Sequence, residues 1–152
     1  MEKIKVEEAD GYFKGEFNCC QAIIMTYGPE FGLSKDIGMR MGTGFAGGVA
    51  RHGEVCGAVT GAIMVLGLKH GMTGESDDKA RDDTYELVSE FINKFKIMNG
   101  SIRCRDLLNC NLSTLEGRQI AKEKDLFNTL CPRFVTDAAE ILEEMIYTDQ
   151  SE

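Results

Sequence analysis

Between Glu54 and Lys69 the chain runs for 14 positions, Val55 to Leu68, without a charged side chain. No other feature constrains the fold as strongly. A bilayer span takes about 20 apolar residues, whereas a run of roughly 10–14 belongs inside a globular domain. Gly57 and Gly61 lie one helical turn apart on this run, and residues without side chains there let a second backbone approach closely. Gly71 supplies the helix stop. The remaining elements have to cover such a helix. The expectation is an all-α, single compact helical domain of five to seven helices around an apolar central helix over residues 54–70.

The flanking sequence provides those helices. Residues 3–15 read as a short, charged, weakly amphipathic helix. Asn18 is a good N-cap, and Gln21 three residues on completes a capping box. Cys20, Ile23, Ile24 and Tyr27 follow at i, i+3, i+4, i+7 and predict one apolar face, ended by Gly28-Pro29. Ser34 caps a short helix through Met41. Asp77 or Asp78 opens a long helix to Asn99, with Tyr85, Val88, Phe91, Ile92 and Phe95 as its apolar stripe. Cys104 to Leu108 reads as a helical turn, and Ser113 as the cap of a helix over 114–127. Pro132 stands where a first helical residue belongs. Phe134, Ala138, Ile141, Leu142 and Met145 then form the inner face of the last helix, with Glu143 and Glu144 on its solvated side. No window alternates with period two. A length of 152 residues with no linker predicts one domain over 1–152, able to bury a core without disulfides.

Charge and termini exclude several classes. There are 17 basic and 25 acidic side chains, a net charge of -8, so the basic footprint of a nucleic-acid binder is missing. The first ten residues lack the apolar core of a secretory signal. A cytoplasmic protein without membrane insertion is expected. Gly42-Thr43-Gly44-Phe45-Ala46-Gly47 matches G-x-G-x-x-G, but the strands that motif needs on either side are missing, so no NAD site is read from it. Thirteen of the 17 glycines lie between Gly28 and Gly74. The 37–74 stretch carries only Arg40, Arg51, Glu54 and Lys69 as charges, and reads as interior. A homodimer would cover any apolar surface that one copy leaves open.

The six cysteines carry most of the functional signal. In a reducing compartment they are catalytic, metal-binding or inert core rather than structural disulfides. There is no C-x-x-C pair and no C-x-x-C-H, hence no haem site. Cys19 and Cys20 follow the Asn18 cap, Cys56 heads the central helix, Cys104 lies between Arg103 and Arg105, and Cys131 precedes Pro132 and Arg133. Thiols at helix starts or beside arginine gain thiolate character, and thiolate is both the nucleophile of redox exchange and a metal ligand. Against this, free cysteine often serves as a small hydrophobe. Cys20, on an apolar face, reads as core, and Cys110 as either a resolving partner of Cys104 or a bystander. His52 reads as solvent-facing, four residues before Cys56, and His70 as a last-turn cation.

Asn18-Cys19-Cys20-Gln21-Ala22, then Gly53-Glu54-Val55-Cys56-Gly57-Ala58-Val59-Thr60-Gly61-Ala62, then Cys104-Arg105-Asp106-Leu107-Leu108 and Cys131 before a helix, together resemble the CGCAxxG-motif (C-GCAxxG-C-C) family, whose members are assigned a redox role. The likeness spans about residues 17–140. It implies a small helical protein whose four family cysteines are Cys19, Cys56, Cys104 and Cys131. Cys20 is extra, and Asn109-Cys110-Asn111 departs from the family's turn.

Three functional readings follow. In the first, Cys19, Cys56, Cys104 and Cys131 converge near the Gly42–Gly57 segment, with Gly53 and Gly57 offering backbone to a bound group. They then cycle between thiol and disulfide or hold an iron–sulfur cluster, as an oxidoreductase or electron-transfer protein with a redox partner of its own. In the second, the same four thiolates hold zinc or another metal structurally. In the third, the chain is a non-catalytic interaction module with core cysteines.

Overall fold

The computed structural model describes residues 2–148. Residue 1 and residues 149–152 of the expected 1–152 span lie outside the described residues. The helices are α1 (Glu2–Lys14), α2 (Cys19–Tyr27), α3 (Lys35–Gly42), α4 (Gly57–His70), α5 (Asp78–Asn99), α6 (Cys104–Leu108), α7 (Leu115–Glu123), α8 (Leu126–Thr129) and α9 (Cys131–Thr148). Seven of them have eight residues or more, and α6 and α8 are about one turn each. The protein is all-α, as the periodicity predicts. Among the described residues the one extended pairing is an isolated antiparallel bridge between Val55 and Arg103.

The capping residues set the local boundaries. Asn18 accepts from Gln21 N at 2.8 Å, while Gln21 Oε1 accepts from Asn18 N at 2.9 Å, so the capping box is complete. Ser34 caps α3 and Asp77 caps α5. Three boundaries differ from expectation. The central helix begins at Gly57, because Glu54 to Cys56 are drawn out to pair with 102–104: Cys56 N donates to Ile102 O and Cys104 N to Glu54 O, both at 2.7 Å. The cap of α7 is Thr114, whose hydroxyl accepts from Gly117 N at 2.9 Å; Ser113 is instead turned back onto Asn111. The expected helix over 114–127 breaks into α7 and α8 at Asp125, which adopts a left-handed backbone (φ 54°).

α2 and α4 together form the centre. Ala58, Val59, Ala62, Val65 and Leu66 of α4 are fully buried. α2 was expected to bury one face and is instead buried all round, since α1, α3, α4 and α9 each pack on a side of it. Gly57 and Gly61 act as the spacing predicts. A Cβ on Gly61 would stand 3.1 Å from Cys20 O and from Ile23 Cβ; one on Gly57 would stand 2.6 Å from Cys19 Sγ. The two helices therefore meet at the distance their glycines permit, which sets the first turn of α2 against the first turn of α4.

Peripheral expectations fare less evenly. Phe91 and Phe95 of α5 are fully buried, but Tyr85 is 65% exposed, because α5 runs past the edge of the core at that end. The 37–74 stretch is not interior throughout: Ile37, Met41, Val49 and Met72 are exposed, and its core residues are Cys56 and those of α4. Glu143 is buried rather than solvated, since α9 turns it toward Tyr27, whose hydroxyl donates to Glu143 Oε1 at 2.7 Å. Burial and the neighbouring carboxylate push the Tyr27 hydroxyl's pKa up, so it stays a donor. Tyr27→Phe removes that donor from a buried carboxylate, and a loss of about 1–3 kcal/mol is expected in denaturant titration.

Candidate thiol site

Each of the four family cysteines lies at the start of a helix. Cys19 and Cys104 are the first residues of α2 and α6, Cys131 the first of α9, and Cys56 the N-cap of α4. All four line one cavity of about 330 Å³. Gly57 closes its floor beside Cys19. The rest of the wall is mostly apolar, with Phe13, Phe17, Phe127 and Phe134 among its lining. Lys14 is its one charged side chain, and is ion-paired with Asp10 at 2.8 Å.

Two local devices bring these thiols together. The first is the α2–α4 glycine contact, which seats Cys19 Sγ on Gly57. Asn18 reinforces it, donating through Nδ2 to Gly42 O at 3.0 Å and so tying the start of α2 to the end of α3. The second is the 54–56/102–104 pairing, which holds Cys56 and Cys104 on adjacent strands of backbone. Over it folds a left-handed turn. Gly47, Gly48, Val49, Ala50 and Arg51 have φ of 65°, 71°, 66°, 46° and 67° in succession. Each of the three non-glycine residues there costs about 1–2 kcal/mol relative to a right-handed backbone. Hydrogen bonds from Arg51 N to Ala46 O and from Glu54 N to Gly48 O, each 2.9 Å, hold the turn. A Cβ on Gly48 would lie 2.7 Å from Cys104 Cβ, so this glycine lets the turn close directly over Cys104.

The expected thiolate character is confined to Cys19. Its thiol is held below the ordinary range, first by a hydrogen bond from the Cys56 thiol and then by the backbone N–H groups of Cys20, Gly57 and Cys19 itself; these outweigh burial. Cys56 is pushed well above the ordinary range by that same bond and by burial, which keeps its proton in place. Cys104 and Cys131 are each pushed up to about 12, mainly by burial. The arginines beside Cys104 do not rescue it. Arg103 turns outward to Glu54 at 3.3 Å, and Arg105 donates to His52 O at 2.8 Å, leaving only a small lowering effect on the thiol. Removing the hydrogen-bond donor should undo the lowering at Cys19. In Cys56→Ala the pH at which Cys19 reaches half its maximal alkylation rate is expected to rise toward that of a free thiol, as followed by iodoacetamide trapping across pH.

The remaining candidates fall outside the cavity wall. Gly53, with φ 71°, packs on Arg105 and accepts from it, so it supports the loop and does not face the thiols. Cys20 is fully buried core, pushed up to about 12 chiefly by burial. Cys110 is half-buried against the core. His52 is exposed, its ring turned to Val49 O at 3.0 Å, and the late start of α4 keeps it off any helical face shared with Cys56. Among the described residues no three His, Cys, Asp or Glu side chains come together as ligands for one metal ion. Sequence reasoning did not single out Gly48 or the phenylalanine wall, because neither carries a motif; only the four small residues among the five at 46–50 (Ala46, Gly47, Gly48 and Ala50) hinted at an unusual backbone.

The site is thus an all-α domain with one thiol at each of four helix starts. The model of the family described as "Putative redox-active protein (C_GCAxxG_C_C)" matches residues 17–145, and the chain belongs to that family. A relative from Archaeoglobus fulgidus, described as an uncharacterized protein, is 29% identical over 132 residues, covering 82% of this chain and 81% of its own length. No solved structure matches. Among the described residues no helix is long and apolar enough to cross a membrane.

Proposed function

We propose that the protein is a dithiol oxidoreductase in which Cys19 is the attacking thiolate and Cys56 the resolving thiol. One observation carries this reading: Cys19 and Cys56 line the same cavity at the facing starts of α2 and α4, Cys19 Sγ lying against Gly57 next to Cys56; the electrostatics agree, displacing Cys19 toward thiolate and Cys56 toward thiol. That is the division of labour disulfide exchange requires. The Cys19 thiolate attacks one sulfur of a substrate disulfide, the S–S bond breaks, and the distal sulfur leaves as a thiolate. Cys56 then loses its proton and attacks Cys19 Sγ. The second substrate thiolate departs, leaving the Cys19–Cys56 disulfide. Two electrons have passed from the protein to the substrate, and the reverse sequence returns them. Cys104 and Cys131, protonated by burial, shield the pair and complete the wall.

In this reading a Cys56→Ser protein stops halfway. After incubation with a small disulfide, intact-mass and peptide analysis should find a stable mixed disulfide on Cys19, whereas the unaltered protein should release both thiols. Adduct at Cys104, Cys110 or Cys131 in place of Cys19 would assign the chemistry elsewhere. The iron–sulfur and structural-metal readings share the same four thiols. They predict stoichiometric iron or zinc in anaerobically purified protein, and the dithiol reading predicts neither.

A further inference from the structure

The cysteine cavity has a neighbour that carries more charge. A second cavity of about 460 Å³ shares Ala46, Gly47, Phe127 and Asn128 with it as common wall. Three cations line this second space: Arg51 from the left-handed turn, and Arg118 and Lys122 from α7. Its one acid, Asp125, already accepts from Asn128 Nδ2 at 2.8 Å. Among the described residues none of the three cations takes part in an ion pair; Arg118 gives one guanidinium N–H to Leu112 O at 2.9 Å and keeps the rest. Three unpaired cations facing one cavity stand out on a chain with a net charge of -8. The left-handed turn is what places Arg51 there, which gives its strained backbone a purpose.

An apolar chamber holding the thiols and a cationic chamber sharing its wall suit a ligand with two ends. We propose that the disulfide substrate of the Cys19–Cys56 pair is a low-molecular-weight anionic disulfide, its sulfurs in the cysteine cavity and its phosphate or carboxylate end on Arg51, Arg118 and Lys122. The inference rests on the dithiol reading and adds the substrate class. Two guanidinium groups favour planar, multidentate capture of phosphate or carboxylate oxygens. A polypeptide disulfide is disfavoured, because Cys19 lies inside the cavity and not on a flat surface. The exchange is the one written above: the substrate's S–S bond is the oxidant, it leaves as two thiols, and the protein keeps the new disulfide.

The test is a panel of small disulfides against reduced protein, with oxidation followed by stopped flow. Dithiodipropionate carries two carboxylates, coenzyme A disulfide carries phosphates, bis-hydroxyethyl disulfide is neutral and cystamine is dicationic. Both anionic probes should react faster than the neutral one, with cystamine slowest, and added salt should shrink the spread. Dithiodipropionate against coenzyme A disulfide decides between a carboxylate and a phosphate end. In the double variant Arg51→Gln/Lys122→Gln the ratio of anionic to neutral rates should fall about tenfold or more, the loss expected for charge-assisted hydrogen bonds. A ratio unchanged by the double variant would overturn the anionic assignment and leave the dithiol reading standing. If none of the four probes oxidises the pair, both fall together.

Discussion

Cys19→Ser is expected to abolish disulfide exchange, lowering the rate of oxidation by small disulfides by a factor of about a thousand or more. A serine hydroxyl in the same place is not ionised near neutral pH and does not attack sulfur. The fold should be little affected, since Ser is close in volume and Cys19 is only half-buried. The same substitution at Cys104 or Cys131 should have a much smaller kinetic effect, because burial pushes both up to about 12 and so keeps them protonated at neutral pH. The contrast between Cys19 and these two is the informative result. If all four substitutions were equally damaging, the thiols would be acting as a set, as cluster ligands do. The pH profile follows from the direction of the Cys19 shift. Its exchange rate rises with pH as the thiolate forms, levels off below the range of an ordinary thiol, and is lost as pH falls through the lowered value.

Gly57→Ala is the second large effect. The added Cβ would stand 2.6 Å from Cys19 Sγ and 3.1 Å from both Cys20 N and Phe45 O. The sulfur can rotate away, but the two backbone atoms cannot, so α2 and α4 must separate. Overpacking of this kind costs about 1–3 kcal/mol, measurable as a lower midpoint in urea. The functional loss should exceed what that destabilisation explains. Moving Cys19 off Cys56 and off the Gly57 amide removes donors that favour its thiolate. The variant is therefore expected to remain folded at room temperature, with exchange slowed by at least about tenfold and Cys19 titrating closer to a free thiol. Gly61→Ala lies one turn further from the thiols, its Cβ 3.1 Å from Cys20 O. It should lose comparable stability with a smaller change in Cys19 reactivity, which separates the packing role of the glycine pair from its chemical role.

Much of this was legible in the sequence, for reasons that are local. The apolar run with Gly57 and Gly61 announces a central helix and a close backbone neighbour, since both follow from side-chain size and spacing. The Asn18–Gln21 box fixes the start of α2, and with it the position of Cys19 at a helix N-terminus. What could not be read depends on tertiary burial. Helix starts and arginines suggested four thiolates, yet the Cys19 contact and burial reverse that tendency at Cys56, burial reverses it at Cys104 and Cys131, and only the Cys56 contact secures it at Cys19. Glu143 reads as solvated because its neighbours in sequence are acidic; the partner that draws it inward, Tyr27, is 116 residues away. The left-handed turn is equally hidden: Val49, Ala50 and Arg51 have no intrinsic preference for positive φ, and only the hydrogen bonds of Gly47, Gly48 and their partners impose it.

The central claim is that Cys19 and Cys56 form the working pair. Equilibrating the protein in dithiothreitol buffers of graded potential, quenching with an alkylating agent and mapping the disulfides by peptide mass spectrometry tests it most directly. The account predicts a single two-electron transition in which the Cys19–Cys56 disulfide appears while Cys20, Cys104, Cys110 and Cys131 remain alkylated. A different pairing, or no disulfide at any potential in the range, would contradict it.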